Sequence, residues 1–205
     1  MAPKTIAVDI DDVLSATAEG FAAFSNERWG GNHRAENYTE AWAEFWGIPL
    51  EEAIKRSDEY HDSGVVSTFS HYEESVDVLG KLATKYKIVV ITSRRKVLKE
   101  LTDTWLETHF SGIFSEIHYA GIWDDDGDDQ SITHRLNQTK AELAQQLGAD
   151  YLIDDQPKHC FSAASVGITA LLFGKHKSLH NLEVPAGVVR VRDWQAVETY
   201  FNAQG

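Results

Sequence analysis

Short strand-length runs, rich in β-branched and aliphatic residues, recur along the chain at Thr5–Val8, Ile88–Ile91, Glu116–Tyr119, Tyr151–Ile153 and Ile168–Leu172. Their hydrophobicity is mostly continuous rather than alternating, which predicts strands buried on both faces of a parallel sheet. Between the second and third runs, Val97, Leu98, Leu101 and Trp105 fall on one face of a helix. Lys140–Leu147 predicts a helix before the fourth strand, and the stretch around Phe161–Val166 predicts another after it. Strands alternating with helices in this way predict an α/β fold.

From about residue 15 to residue 70 the rhythm breaks, and the pattern suits several short helices. Phe21 and Phe24 precede Gly30–Gly31. Thr39 is the expected N-cap of a segment carrying Trp42, Phe45 and Trp46, and Pro49 opens another carrying Leu50 and Ile54. A helical insertion directly after the first strand accounts for all of this. The expected organisation is an α/β core of residues 1–14 and 71–205 with a small helical cap of residues 15–70, a division that a chain of 205 residues can support.

Charge narrows the function classes. Lys plus Arg number 19 against 32 Asp plus Glu, a net charge of −13, which disfavours polymeric nucleic acid and anionic membranes as partners. A phosphorylated ligand then needs a metal ion or a few placed cations to overcome the global sign. Cys160 is the only cysteine, so neither an intrachain disulfide nor a multi-cysteine zinc site is expected. Asp9, Asp11 and Asp12 lie where a secretory apolar segment would fall, and no apolar run approaches the roughly 18 residues of a membrane span. A cytoplasmic protein is expected.

The first strand runs into Asp9-Ile10-Asp11-Asp12-Val13, and the fourth ends in Ile153-Asp154-Asp155. Ligand sites of open α/β sheets lie beyond the carboxyl ends of parallel strands, so both carboxylate groups are expected at one sheet edge. Like charges gathered there call for a cation, and hard oxygen donors suit Mg²⁺. The second strand ends in Thr92-Ser93-Arg94, and Lys140 begins a helix that leads back to Asp154. A hydroxyl and an ammonium beside a metal and a carboxylate form a phosphoryl pocket.

In this order, Asp9-x-Asp11-x-Val13, then Thr92, Lys140 and Asp154-Asp155, the chain resembles the haloacid dehalogenase superfamily over essentially its whole length. The helical insertion, the string Ile153-Asp154-Asp155-Gln156-Pro157 and the closing Leu171-Leu172-Phe173 with Trp194 are similar to the 5′(3′)-deoxyribonucleotidases, which often carry Arg or Lys where this chain has Gln156. The resemblance implies a Rossmann-like sheet with the first strand central and a cap that closes over substrate. It implies a Mg²⁺-dependent phosphomonoester hydrolase in which Asp9 is the nucleophile and Asp11 the general acid and base. Mg²⁺ is then expected on the Asp9 carboxylate, the Asp11 carbonyl and one of Asp154 and Asp155, with Asp155 favoured. Thr92 and Lys140 would bind phosphoryl oxygens, with Ser93 or Arg94 adding a contact.

The expected substrate is a small phosphorylated compound, a nucleoside monophosphate first, with a sugar phosphate as the alternative. A non-catalytic phosphate-binding module is a further reading, but it predicts a damaged motif. Because Trp42, Phe45 and Trp46 share a helix face, one ring can anchor the cap while another meets a base, so all three are candidate substrate contacts. Other features carry less. Asp124, Asp125, Asp126, Asp128 and Asp129 lack the glycine and glutamate positions of a calcium loop. His176 and His180 lack a third zinc ligand, and Cys160 is expected in the core.

Overall fold

The structure is a computed structural model that describes residues 2–120, 139–176, 179 and 181–204. The aspartates at 124–126, 128 and 129, and His180, lie outside the described residues. Strands β1 (Thr5–Val8), β2 (Lys87–Thr92), β3 (Glu116–Tyr119), β4 (Tyr151–Asp154), β5 (Thr169–Phe173) and β6 (Val188–Val191) form one sheet in the order β3-β2-β1-β4-β5-β6. Every pairing is parallel, and the central strand pairs Ile6 with Ile88 on one side and with Tyr151 on the other. The chain is therefore the expected α/β fold with a wholly parallel sheet.

Successive side chains of each strand supply opposite faces. Ile6, Val8, Ile88, Val90, Ile153 and Leu171 pack against helices α4 (Glu73–Leu82), α5 (Lys99–Phe110) and α8 (Trp194–Asn202) through Leu79, Trp105, Phe110, Trp194 and Phe201. Ala7, Val89, Ile91, Leu152, Ala170 and Leu172 face α6 (Lys140–Gln146) and α7 (Pro157–Ser165) through Ala141, Ala144, Cys160 and Ala163. Cys160 is fully buried there. The edge strand β6 is absent from the sequence-based expectation. It follows Gly187, whose φ of 88° turns the chain into the sheet, and its Val-Val-Arg-Val pattern includes an exposed Arg190, so no continuous apolar run marks it.

Between β1 and α4 lie helices α1 (Thr17–Trp29), α2 (Trp42–Trp46) and α3 (Leu50–Asp62), with 3₁₀ turns at Ala35–Asn37 and Val65–Thr68. The two chain crossings into this layer run side by side, with the Ala16 N–H donating to the Ser70 carbonyl at 2.8 Å and the Tyr72 N–H to the Leu14 carbonyl at 2.9 Å. The layer has its own aromatic centre: Phe21 meets Trp42, Tyr60, Trp46, Tyr38 and Phe45 at ring separations of 4.7–5.4 Å. Gly20 allows α1 to lie on Phe69, since a Cβ at residue 20 would come within 2.3 Å of that ring. One expectation changes here. Ala41, not Thr39, stands at the N-cap of α2, and the Thr39 hydroxyl instead accepts the Ala41 N–H at 3.3 Å. Leu50 and Ile54, on the helix that Pro49 opens, are 69% and 53% exposed and line the cleft described below.

Candidate active site

Asp9 follows β1 directly, with its N–H bonded to the Ile153 carbonyl at 3.0 Å. The chain then turns sharply, Leu14 and Ser15 both donating back to the Ile10 carbonyl at 2.8 and 2.9 Å. Asp12 takes a φ of 56° in this turn, a left-handed conformation that aspartate tolerates better than most residues. Its carboxylate accepts the Ala18 N–H at 2.9 Å, occupying one of the free donors at the start of α1. Trp194 fastens the turn from outside, its indole N–H donating to the Val13 carbonyl at 3.0 Å.

Lys140 is delivered by α6, whose first turn is fixed by a reciprocal capping box between Thr139 and Glu142. The Lys140 ammonium is buried 2.7 Å from Asp9 Oδ2 and 2.8 Å from Asp154 Oδ2. Burial opposes this charge, but Asp154 and Asp9 together hold it above the usual lysine range. Asp154 is fully buried and also accepts the Gln156 N–H at 2.8 Å. Asp155, the next residue, faces the cleft and accepts the Gln156 side-chain amide at 2.6 Å. Carboxylate oxygens of Asp9, Asp154 and Asp155 lie within 4.8 Å of one another. Burial, countered by Lys140 and reinforced by Asp154 and Asp11, pushes the Asp9 carboxyl up to about 8. Burial and the neighbouring carboxylates of Asp154 and Asp9 push Asp155 upward as well.

The Asp11 carboxylate turns away from this trio. It accepts the Thr17 hydroxyl at 2.7 Å and two nitrogens of Arg94, Nη2 at 2.7 Å and Nε at 3.0 Å. Against the effect of burial, the Arg94 guanidinium holds Asp11 below the usual carboxylate range. Arg94 lines the cleft, yet in this state its charge is committed to Asp11 rather than open to a ligand. Thr92 is fully buried and accepts the Arg94 N–H at 3.1 Å, which shapes the loop after β2. Ser93 lines the cleft with a buried hydroxyl that has no partner among the described residues.

These groups form the floor of a cleft of about 690 Å³ between the sheet edge and the helical layer. Its far wall carries the apolar and aromatic side chains of Trp42, Leu50, Ile54 and His61 beside the acidic Glu40, Glu44 and Asp58, with the Trp42 and His61 rings stacked at 5.5 Å and 28°. Trp42 alone of the three candidate aromatics lines the cleft. Phe45 and Trp46 are buried inside the helical layer, where the Trp46 indole N–H donates to Ser25 Oγ at 3.0 Å. Glu40 ties the wall to the floor through an ion pair with Lys158 of α7. The sequence reading missed Tyr38, His61, Arg95 and His159, all of which line the cleft. Thr139-x-x-Glu142 was a legible signal for the start of α6; the others carry no motif, because tertiary packing alone brings them to the site.

The model of one family matches residues 3–122: 5′-nucleotidase, deoxy (pyrimidine), cytosolic type C. The chain belongs to this family. It is a phosphatase of the haloacid dehalogenase superfamily, with nucleotidase-like character. A haloacid dehalogenase-like hydrolase from Streptococcus pneumoniae is 15% identical with a TM-score of 0.66, over 97% of this nucleotidase-family chain and 98% of the other. A superfamily hydrolase from Geobacter sulfurreducens is 16% identical with a TM-score of 0.62, over 99% and 97% of the two chains. A Bacillus subtilis protein of the superfamily, described as bound to magnesium, is 12% identical with a TM-score of 0.61, over 98% and 100%. Identities this low speak for the fold alone. No match is found among curated proteins. Among the described residues, no helix of this nucleotidase-family protein is long and apolar enough to cross a membrane.

Proposed function

We propose that this phosphatase hydrolyses nucleoside monophosphates through an aspartyl phosphate, with Mg²⁺ as its metal. The observation that carries the reading is one cleft with a charged floor for a phosphoryl group and a wall of Trp42, His61, Leu50 and Ile54 suited to a planar base. Such a wall has little to offer a small polar sugar.

The donor set fits a hard divalent cation. Asp9 Oδ1 is buried with no partner among the described residues, and its carboxylate meets those of Asp154 and Asp155, with the Lys140 ammonium as the counter-charge beside them. Asp9 and Asp155 would hold the ion, with the Asp11 carbonyl as a third donor and Asp154 positioning Lys140. When bound, Mg²⁺ offsets the charge gathered by carboxylates and phosphoryl oxygens.

In the first step an Asp9 oxygen attacks phosphorus and the bond to the leaving oxygen breaks. Lys140 holds the nucleophile's other oxygen and neutralises the phosphoryl group together with Ser93 and the amides of the loop after Thr92. The leaving alkoxide takes its proton from Asp11, which requires Arg94 to move from Asp11 toward the incoming phosphoryl oxygens. In the second step water attacks phosphorus, Asp11 accepts its proton, and phosphate and free Asp9 are restored. The ionised Asp11 held by Arg94 and Thr17 is the form this base role needs.

We also propose that residues 15–70 act as a cap closing over the substrate, with the paired crossings at Leu14–Ala16 and Ser70–Tyr72 as its hinge. The cytosolic family description and the single buried Cys160 support a cytoplasmic setting. The test is phosphate release from nucleoside monophosphates and sugar phosphates, with Mg²⁺ and with a chelator. A clear preference for nucleotides that disappears with chelator supports the reading; equal turnover of sugar phosphates sinks the nucleotide assignment.

A further inference from the structure

Three buried side-chain polar atoms have no hydrogen-bond partner among the described residues: Asp9 Oδ1, Ser93 Oγ and Arg95 Nε. All three residues line the same cleft. A buried polar group without a partner is costly, so three such atoms on residues lining one cleft mark where a ligand supplies the missing contacts. Two of them are accounted for by the phosphoryl reaction, Asp9 Oδ1 as nucleophile or metal ligand and Ser93 Oγ as a phosphoryl donor. Arg95 is not.

Arg95 differs from its neighbour. Arg94 is committed to Asp11 and Thr102, whereas no carboxylate among the described residues pairs with Arg95. Two residues beyond Ser93, it begins the 3₁₀ turn Lys96–Leu98, and its carbonyl accepts the Leu98 N–H at 3.0 Å. Leu98 packs into the aromatic centre of the helical layer, so this turn carries Arg95 to the cap side of the cleft. His61 on α3 reports the same placement: burial chiefly, and the Arg95 charge in addition, hold its imidazole below the usual range, against a bond to the Ser57 carbonyl. A phosphoryl group over Asp9 occupies the floor, and its leaving group must extend toward this side, where Trp42 and His61 stack.

We infer that Arg95 is a specificity residue that donates to an acceptor oxygen on the leaving group, and not to the phosphoryl group being transferred. This deepens the nucleotide reading and rests on it. Guanidinium donors suit a planar carbonyl edge or a second phosphate, and a nucleotide can offer either. Because the chain is strongly acidic overall, one arginine inside the cleft with no carboxylate partner among the described residues is a selective feature rather than part of a general anion trap.

The experiment compares wild type, Arg95→Ala and Arg95→Lys, in Mg²⁺, on nucleoside 5′-monophosphates, nucleoside 3′,5′-bisphosphates, ribose 5-phosphate and phenyl phosphate. Arg95→Ala should lower kcat/KM about tenfold or more on the substrate whose leaving group carries the acceptor, and less than about twofold on phenyl phosphate, which has none. Arg95→Lys should recover part of the loss if the acceptor is a second phosphate, and little if it is a carbonyl edge that needs the planar fork. Equal losses on all substrates would place Arg95 on the transferred phosphoryl group and overturn the inference. No loss on any substrate, with an unchanged melting temperature, would overturn it as well. If wild type ignores nucleotides, the nucleotide reading falls by itself, and the ratio of losses between the preferred substrate and phenyl phosphate still decides the role of Arg95.

Discussion

Arg94 and Asp11, 83 residues apart in sequence, form a two-nitrogen ion pair at the mouth of the phosphoryl site, with Nη2 2.7 Å and Nε 3.0 Å from the carboxylate. Arg94 is almost completely buried, while a third of the Asp11 side chain remains exposed. Removing only the arginine leaves the Asp11 carboxylate without its counter-charge, held by the Thr17 hydroxyl alone among the described side chains. Arg94→Met should therefore destabilise the protein by about 3 kcal/mol, at the low end for buried pairs because Asp11 keeps access to water. The double variant Arg94→Met/Asp11→Asn should regain part of that loss in chemical denaturation. If the double variant is no more stable than the single one, the pair is not the source of the cost.

Asp9 is crowded by Asp154 and Asp155 and relieved by Lys140. Asp9→Asn keeps the shape but cannot attack phosphorus, so turnover should fall to background. The same change removes a buried carboxyl whose ionisation burial and the neighbouring carboxylates already oppose, pushing it up to about 8, so metal-free Asp9→Asn should melt no lower than wild type. Robust turnover by this variant would falsify the covalent route.

Asp154 and Asp155 are adjacent in sequence but do different work in the structure. Asp154 is sealed against Lys140, and Asp155 faces the cleft. Saturating Mg²⁺ at a hundredfold over its dissociation constant should stabilise wild type by about 2.7 kcal/mol. Asp155→Asn should abolish most of that thermal shift, whereas Asp154→Asn should chiefly lower metal-free stability by taking from buried Lys140 one of the two carboxylates that hold its charge. The opposite pattern in calorimetry would exchange the two assignments.

How much of this was legible depended on whether one segment carried the signal. Asp9, Asp11, Thr92, Lys140 and Asp154 each stand at a strand end or a helix start that the local pattern marks, and the parallel sheet brings them to one edge. The direction taken by a side chain at that edge was not legible: nothing local says that Asp11 turns to Arg94, or that Asp155 rather than Asp154 faces the cleft. The edge strand β6 lacked a continuous apolar run because only one flank is paired. In the helical layer the short α2 repeats its aromatics within five residues, so periodicity cannot tell the cleft face from the buried one. Leu50 and Ile54 mark a helix in the sequence but not the cleft wall they form, because an apolar side chain at a ligand site looks locally like one in a core.

His159 lines the cleft on α7, and burial above all holds its imidazole down to about 4. Its folded value lies below the unfolded value near 6.5. As pH falls below about 6.5 the unfolded chain takes up a proton that folded His159 refuses, so stability drops until the pH nears 4. The loss from this residue is about 3 kcal/mol over that window. His159→Gln should flatten the acid limb of a stability-against-pH curve measured by denaturant titration. An unchanged slope between pH 6.5 and pH 4 would mean that His159 is not held neutral.

Trp42, Phe45 and Trp46 lie on one short helix but part company in the structure. Trp42 faces the cleft, stacked on His61 and donating to the Tyr38 hydroxyl at 3.4 Å, while Phe45 and Trp46 fill the layer around Phe21. Stacking a base on an exposed ring is worth about 1–3 kcal/mol, whereas deleting a buried ring costs about 3–5 kcal/mol of stability. Trp42→Ala should therefore lower kcat/KM for a nucleoside monophosphate about tenfold or more, change phenyl phosphate turnover little and move the melting temperature least of the three. Phe45→Ala and Trp46→Ala should lower the melting temperature by several degrees and reduce both activities together as folded protein is lost. Melting curves and two-substrate kinetics on the three variants separate these outcomes. If Trp42→Ala loses both substrates equally, Trp42 supports the cap rather than the base, and the apolar wall of Leu50 and Ile54 is left as the remaining basis for nucleotide preference.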